Sequence, residues 1–543
     1  MTERTGGEAV VAALRALGVT RVFGIVSVHN IPIFDAILRD GTIEPIAVRH
    51  EQAAVHAADG YARASGRLGV AIASTGPGTT NAMTGLFEAA AASSPVLLIT
   101  GQVDTIWYGK GKGFLHEAEL QLPMLRTVCR RAESVRRTEA IARTIIEVAR
   151  DILDGRPQPG AVEIPIDLQY RRGAVVVPPF DRPAPQRPDP EPLERALALL
   201  RETRRRVLWA GGGSIDASAP LRQLAERLGA PVFTTVNGRG VISEDHPLAM
   251  GPLTAHPAMQ AVFEGADLLV AVGTRFQGGA TRNWSLPLSM PIVHIDADPS
   301  VIGRNYPAAA AVVADARVAL EALLERLDAP ANDAAFTAAA VAARDAARSQ
   351  IREDIGPDHA AIMDAIRELL PRDAVIVRDA TIPAYLWGNR LLPILEPRTS
   401  IYPASAAIGP GLPLAIGAAA AGRRAAVIQG DGGLMLSVGE LATLAQYRLP
   451  VILCVFNDHG YGVLRSIQAR TFEGRTIGVD LATPDFAALA RAMGIRGERV
   501  GSAVAFRDAF AAAVAEGAPA LIEIDADALT PMRSFPQPPR PRG

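Results

Sequence analysis

Short apolar runs, many opened by a proline, alternate along this chain with longer Ala/Leu-rich stretches. Pro45-IAV, Pro95-VLLIT, Pro231-VFTTV, Pro291-IVHID and Pro450-VILCVF are the clearest of the runs. Continuous apolar runs of this length, separated by helical patterns, read as buried strands of βαβ units in mostly parallel sheets. One unit is Gly69-VAIAS, the loop TGPGTTN, an Ala-rich helix and Pro95-VLLITGQ. A second is Arg423 to Gln429 (RRAAVIQ) as a strand, the loop GDGGLMLS, a helix from Ser437 to Tyr447 and Pro450-VILCVF. That helix presents Val438, Leu441, Leu444 and Ala445 on one side. The shared plan near both ends predicts two domains of similar fold. VLWAGGG, PVFTTV, LLVAVG and PIVHID predict a third, doubly wound domain between them.

Composition marks the boundaries. Residues 175–192 (VVVPPFDRPAPQRPDPEP) are Pro-rich enough to be an extended linker. Residues 329–348 are Ala/Asp-rich with no strong core face and read as part of a partly helical connector over 329–355. The expected division is therefore 1–174, linker 175–192, central domain 193–328, connector 329–355, C-terminal domain 356–530 and a disordered tail 531–543. Hydrophobic content of 49% against 21% charged suits large α/β cores rather than a disordered or fibrous chain. With 55 basic and 57 acidic residues the net charge is −2, so no bulk field favours nucleic acid or an anionic membrane. Arg136-Arg137 and Arg204 to Arg206 read as solvated basic clusters. Two cysteines, Cys129 and Cys454, make no disulfide framework and point to a reducing compartment. No signal-peptide pattern opens the chain and no apolar stretch reaches spanning length, so the expectation is a cytoplasmic protein.

Chemistry concentrates in two places. Gly430-Asp431-Gly432 follows a strand and Asn457 ends the next one, which puts both polar residues at the carboxyl ends of parallel strands, where open α/β sheets bind ligands. A carboxylate, an amide oxygen and a backbone carbonyl are hard oxygen ligands suited to Mg²⁺. Glycines such as Gly433 let the backbone approach a phosphate. A lone GDG is more often a simple strand-to-helix turn. Near the other end, Glu51 follows Pro45-IAVRH and opens the helix QAAVHAADGYARA. Taken alone, it complements a helix N-terminus.

The strand–GDG–helix–strand–Asn unit resembles the diphosphate-binding signature of the thiamine-diphosphate (ThDP) enzymes, and RHEQAAVHAADGYARASG resembles the segment carrying their catalytic glutamate. The resemblance covers nearly the whole chain. It implies two ThDP-binding α/β domains flanking a central Rossmann-like domain. Asp431, Asn457 and the His459 carbonyl would hold Mg²⁺. Glu51 would hydrogen-bond the cofactor's aminopyrimidine as a buried carboxyl, whose proton affinity desolvation raises. Ser74-TGPGTTNA resembles the family's Gly-rich cofactor loop, with Gly76, Pro77 and Gly78. Ser405-AAIGPGLPLAIGA puts Ile408 at the apolar prop that bends the cofactor and the Ala406 carbonyl at its amino group, although Ile408 reads equally as core packing. Gly430, Gly432 and Gly433 would line the diphosphate. The family divides this site between subunits, which implies a homodimer or homotetramer.

The subfamily signals diverge. His50-Glu51-Gln52, Ile99-TGQ and VGTRF…VHIDADPSVIGRN look like acetolactate synthase, a decarboxylase and carboligase of 2-oxo acids. The run Gly460 to Gln468 looks closer to benzoylformate decarboxylase, and Gly24-IVSVHN places His29 where benzaldehyde lyase carries a pocket histidine. His29, Gln102 and His116 are thus candidate catalytic groups, and Ser27 and Phe114 candidate substrate contacts. Their plain readings are a loop-capping histidine, a loop-satisfying amide and an exposed loop histidine for the first three. The reading expects a 2-oxo acid or aldehyde substrate and a decarboxylase–carboligase of the acetolactate-synthase kind. A lyase without carboligation of pyruvate is the alternative, a catalytically silent ThDP-binding regulatory protein another, and an NAD-dependent oxidoreductase a third. Gly211-GGSID is not a full dinucleotide fingerprint and GPLTAHPA lacks the flavin-site pattern, so no bound FAD is expected.

Overall fold

The computed structural model describes residues 2–533. Three six-stranded sheets, each fully parallel and sheathed by helices, follow one another along the chain. The N-terminal sheet runs, in spatial order, Glu44–Ala47, Arg21–Gly24, Gly69–Ala73, Val96–Gln102, Gly160–Pro165 and Arg131–Ser134. The C-terminal sheet runs Ser400–Ile401, Val375–Arg378, Ala425–Gly430, Val451–Asn457, Ala520–Asp525 and Arg496–Val500. Counted within each domain, both orders are 2-1-3-4-6-5, so the internal echo in the sequence reflects one topology used twice. The central sheet has the order 3-2-1-4-5-6, the arrangement of dinucleotide-binding folds. Central strands such as Val96–Gln102 and Val451–Asn457 are buried along their whole length, as runs covered on both faces by helices must be.

The N- and C-terminal domains meet through two helices, Glu51–Ser65 and Gly411–Ala420. Gly60 lies against Leu414 and Gly417 against Ala57, an antiparallel crossing in which a methyl on either glycine would overlap a backbone carbonyl oxygen of the other helix. At one end of this pair Arg63 binds Asp59 (2.7 Å), Glu88 (2.7 Å) and the Tyr402 carbonyl (2.7 Å). At the other end the Arg49 amide donates to Glu440 (2.9 Å) and the Ala47 amide to the Tyr447 hydroxyl (2.8 Å).

Several boundaries differ from expectation. The linker is shorter than 175–192: Val175 pairs with Thr2 in a small antiparallel ribbon, and Pro190 already starts the helix Pro190–Glu202. The connector is the first half of a helix spanning Ala334–Leu369, broken at Gly356 (φ 78°, ψ 171°), and it has a core face after all, with Ala340, Ala347, Ile351 and Ile355 buried. The expected helix from Ser437 is divided into short pieces, because Asp431 itself opens the helix Asp431–Met435 and the chain then turns through Val438–Glu440 into Leu441–Tyr447. Arg206 is not solvated: its guanidinium is fully buried and donates to the carbonyls of Pro330 and Leu200. Of the expected tail, residues 534–543 lie outside the described residues. Cys129 and Cys454 are both buried and free. Among the described residues no helix is long and apolar enough to cross a membrane.

Candidate active site

Strand order 2-1-3 creates a switch point beside the first strand of each outer domain, where chain connections leave in opposite directions and open a crevice. The loops at those two crevices carry the residues singled out in the sequence, and they form two separate half-sites.

In the N-terminal half-site Glu51 is the first residue of its helix, capped by His50, whose ring accepts from the Gln52 amide (3.1 Å). The Glu51 carboxylate accepts from Asn81 Nδ2 (3.0 Å), and a Cβ on Gly78 would lie 3.2 Å from its other oxygen. Glu51 and the TGPG loop are therefore in contact. Within one chain Glu51 is only half-buried, so the enclosed carboxyl expected from the resemblance is not made by this chain alone. Gly76 sits at φ 56°, ψ −110°, a conformation that favours glycine, and caps the helix that Pro77 opens. Its amide donates to Gln121 Oε1 (2.8 Å), and a side chain there would meet the His116 carbonyl at 2.6 Å.

Ser27, His29, Ser74 and His116 each hold a buried side-chain atom with no hydrogen-bond partner: Ser27 Oγ, His29 Nδ1, Ser74 Oγ and His116 Nδ1. The two imidazoles face each other with ring centroids 5.3 Å apart. Burial, and then the neighbouring His116, lower the pKa of His29, while Asp104 opposes the shift. An unpartnered buried polar atom costs about 1–3 kcal/mol, which makes these four atoms candidates to meet a ligand. Phe114 is partly exposed and stacks on Trp107 (6.2 Å between centroids).

Gln102 departs from expectation. It is fully buried, its oxygen accepts from the Val103 amide (2.8 Å) and its nitrogen donates to Glu163 (3.1 Å). In this chain both ends of the amide are turned to the protein. Glu163, fully buried, also accepts from Gln121 (2.8 Å) and Tyr108 (2.6 Å). Neither Glu163 nor Gln121 figured in the sequence reading. The signal for Glu163 was a lone carboxylate inside the apolar strand Gly160–Pro165.

In the C-terminal half-site Asp431 is buried, one oxygen accepting from the Gly460 amide (2.8 Å) and the other, Oδ1, without a partner. Burial raises its pKa against that hydrogen bond. Asn457 is anchored by its nitrogen to Glu523 (2.9 Å), which turns its Oδ1 toward the His459 amide (3.1 Å) and Thr483 (3.3 Å). His459 takes φ 51°, and its carbonyl accepts from Arg465 (3.1 Å). Among the described residues no group of three His, Cys, Asp or Glu side chains is gathered for a metal. The oxygens of Asp431, Asn457 and His459 are a different, hard set with one free carboxylate oxygen, and they fit Mg²⁺ shared with a phosphate.

Gly432 packs so near Tyr461 that a Cβ would come within 2.7 Å of the ring, and a Cβ on Gly430 would meet Thr381 Oγ1 at 3.0 Å. Around Gly433, Asp379 and Ile408 both stand at 3.5 Å from where a side chain would begin. Asp379, another residue the sequence reading passed over, ties the Ile408 loop down by accepting from the amides of Gly409 (3.0 Å) and Gly411 (3.0 Å) and from Gln429 (2.7 Å). Burial pushes its pKa up to about 6. Ile408 is not core: it is partly exposed beside the glycine helix, and Ala406 (φ 60°) precedes it in an exposed turn.

In the central domain Gly211, Gly213 and Gly273 serve one another. The Gly211 amide donates to Val272 (2.8 Å) and the Gly213 amide to Gly273 (3.1 Å), and a Cβ on Gly273 would clash with Gly213. Close packing between the two loops requires glycine at these positions.

The comparisons agree with this geometry. Residues 4–123 match the N-terminal TPP-binding domain of thiamine pyrophosphate enzymes, residues 193–323 their central domain and residues 384–524 their C-terminal TPP-binding domain. A probable 2-ketoarginine decarboxylase of Pseudomonas aeruginosa is 36% identical over 500 residues, 90% of this chain and 88% of the relative. A probable acetolactate synthase large subunit of Methanocaldococcus jannaschii is 33% identical over 96% of this chain and 92% of its own length. An acetolactate synthase large subunit of Parasynechococcus marenigrum is 33% identical over 96% and 87% respectively. Two matching half-sites on twin domains, three family domains in order and relatives spanning the full fold give one conclusion: this chain belongs to the thiamine pyrophosphate (thiamine diphosphate) enzymes.

Proposed function

We propose that the chain is a ThDP- and Mg²⁺-dependent enzyme that decarboxylates a 2-oxo acid and joins the product to a second carbonyl compound, in the manner of acetolactate synthase. The observation that carries the reading is the oxygen set of Asp431, Asn457 and His459, with Asp431 Oδ1 buried and unpartnered. These atoms would hold Mg²⁺, with Gly430, Gly432 and Gly433 admitting the diphosphate and Ile408 and the Ala406 carbonyl flanking the rest of the cofactor. Bound ThDP supplies an electron sink for cleaving a bond next to a carbonyl. Glu51 would hold a proton at the aminopyrimidine, the role that needs a carboxyl rather than an amide.

A single chain cannot assemble this site. Glu51 begins a 15-residue helix about 22 Å long, and Ile408 precedes the start of the antiparallel helix Gly411–Ala420, at the other end of the pair. A second copy, presenting its glycine loops to Glu51, closes both sites and supports a homodimer at minimum. Exposed apolar side chains at both half-sites, among them Val26, Val28, Leu115, Met435 and Leu436, suit such an interface.

The facing His29 and His116 favour a second reading, a lyase that releases aldehyde without joining pyruvate. Product analysis with pyruvate, 2-oxobutyrate, benzoylformate and 2-ketoarginine separates the two, with Glu51→Gln as control. An acetohydroxy acid from pyruvate, absent in the control, supports the first. Aldehyde alone, with pyruvate unused, transfers the assignment to the second. Turnover by Glu51→Gln at the parental rate removes the role given to Glu51.

A further inference from the structure

Of the 55 basic residues in the chain only two are lysines, Lys110 and Lys112, and the other 53 are arginines. Both ammonium groups of this arginine-rich chain lie within three residues of each other. They stand in Gly109-Lys-Gly-Lys-Gly113, directly before Phe114 and His116. Gly109 (φ 73°), Gly111 (φ 59°) and Gly113 (φ 71°) are all left-handed, and nothing lies within 4 Å of where a side chain on Gly109 or Gly113 would begin. Both lysines are exposed, and neither forms an ion pair among the described residues.

The loop is nonetheless fixed at its base beside the candidate site. Glu117 accepts from the amides of Gly111 (3.1 Å) and Phe114 (3.0 Å), so its carboxylate is committed to the loop's own backbone. Lys112 Nζ lies 5.9 Å from the Trp107 ring, which Phe114 stacks against. His116, three residues after Gly113, brings its carbonyl against Gly76. The other charges nearby are Glu119 beside Gly111, Asp104 near His29 and Arg136 over the Tyr108 ring. A lysine ammonium is a compact charge on a flexible stem, free to follow an anion.

The geometry points to a cationic lip: Lys110 and Lys112 bind the second anionic group, a side-chain carboxylate, of a dianionic 2-oxo acid and disfavour a cationic side chain. The inference rests on the reading of the site as one for 2-oxo acids. A guanidinium side chain in the same place would approach two like charges.

The test is calorimetric binding to full-length Glu51→Gln protein loaded with ThDP and Mg²⁺, so that the readout does not need turnover. The probes are 2-oxoglutarate, its neutral isostere 2-oxoglutaramate and 2-oxo-5-guanidinopentanoate. Adding K110Q/K112Q should weaken 2-oxoglutarate by about three- to tenfold at low ionic strength, less as salt rises, and leave the amide unchanged. K110R/K112R should retain most of the dicarboxylate affinity. Equal losses for acid and amide, equal losses in the Gln and Arg variants, or tightest parental binding of the guanidino acid would each overturn the lip. Charge-selective binding in a parent enzyme that converts no 2-oxo acid would leave the lip standing and remove the catalytic assignment instead.

Discussion

The N- and C-terminal domains share a strand order, yet they finish the same strand in opposite ways. In each, the fourth strand ends in an amide residue, Gln102 or Asn457, and a buried glutamate on the adjacent strand, Glu163 or Glu523, accepts from its side-chain nitrogen at 3.1 and 2.9 Å. In the N-terminal domain the Gln102 oxygen turns back onto the Val103 amide, and the network closes through Gln121 and Tyr108. In the C-terminal domain the shorter Asn457 turns its oxygen to the His459 amide and the Thr483 hydroxyl, while Oδ1 of the buried Asp431 has no partner. One topology thus yields a network closed on itself on one side and, on the other, an unpartnered Asp431 oxygen in the set proposed to hold Mg²⁺. The difference is one methylene and the residue that follows the neighbouring strand.

The comparison breaks most visibly at Asp431. Asp431→Asn should lower Mg²⁺ affinity by more than about a hundredfold, since it removes a ligand and not just a support. Titration of Mg²⁺ with ThDP by calorimetry reads this directly, and an unchanged affinity would move the metal elsewhere. The paired glutamates come next. Glu523→Gln should cost about 10–100-fold in Mg²⁺ affinity by freeing the Asn457 amide to rotate. Glu163→Gln should leave that affinity alone while lowering unfolding free energy by about 1–3 kcal/mol through a buried network left partly unsatisfied. Equal effects on Mg²⁺ would erase the distinction between the closed network and the proposed ligand set.

Gly417→Ala tests the contact that joins the two domains. A methyl there meets the Ala57 carbonyl in a helix crossing with no slack, so about 1–3 kcal/mol of stability should be lost in denaturant unfolding. The smallest effect concerns pH. Asp379 has its pKa raised to about 6 by burial, above that of an unfolded aspartate. A raised acid favours folding most below the unfolded value, and that contribution is lost as pH rises through 6. The slope is at most about 1.4 kcal/mol per pH unit. Asp379→Asn should flatten stability between roughly pH 4 and 6. An identical pH profile in parent and variant would assign that slope to other groups.

Legibility in the sequence followed how local each feature is. Gly430-Asp431-Gly432, Asn457 and the Glu51 helix start were readable because a strand end, a turn and a cap are set within a few residues of one another. Asp379 was not, since its partners Gly409, Gly411 and Gln429 come from other segments of the C-terminal domain. The surroundings of Gln102 were hidden for a related reason. Whether an amide faces a ligand or a neighbour depends on Glu163, sixty-one residues away.

The sequence by itself determined three α/β units, the twin strand–glycine-loop–helix plan and the two chemical motifs, because periodicity and turn chemistry are local properties of the chain. Only the tertiary structure decided which polar atoms remain unpartnered, that His29 faces His116, and that Glu51 and Ile408 stand at opposite ends of an antiparallel helix pair. Those facts depend on which distant backbones the glycines of that crossing allow to touch, and no local pattern encodes the direction of a crossing.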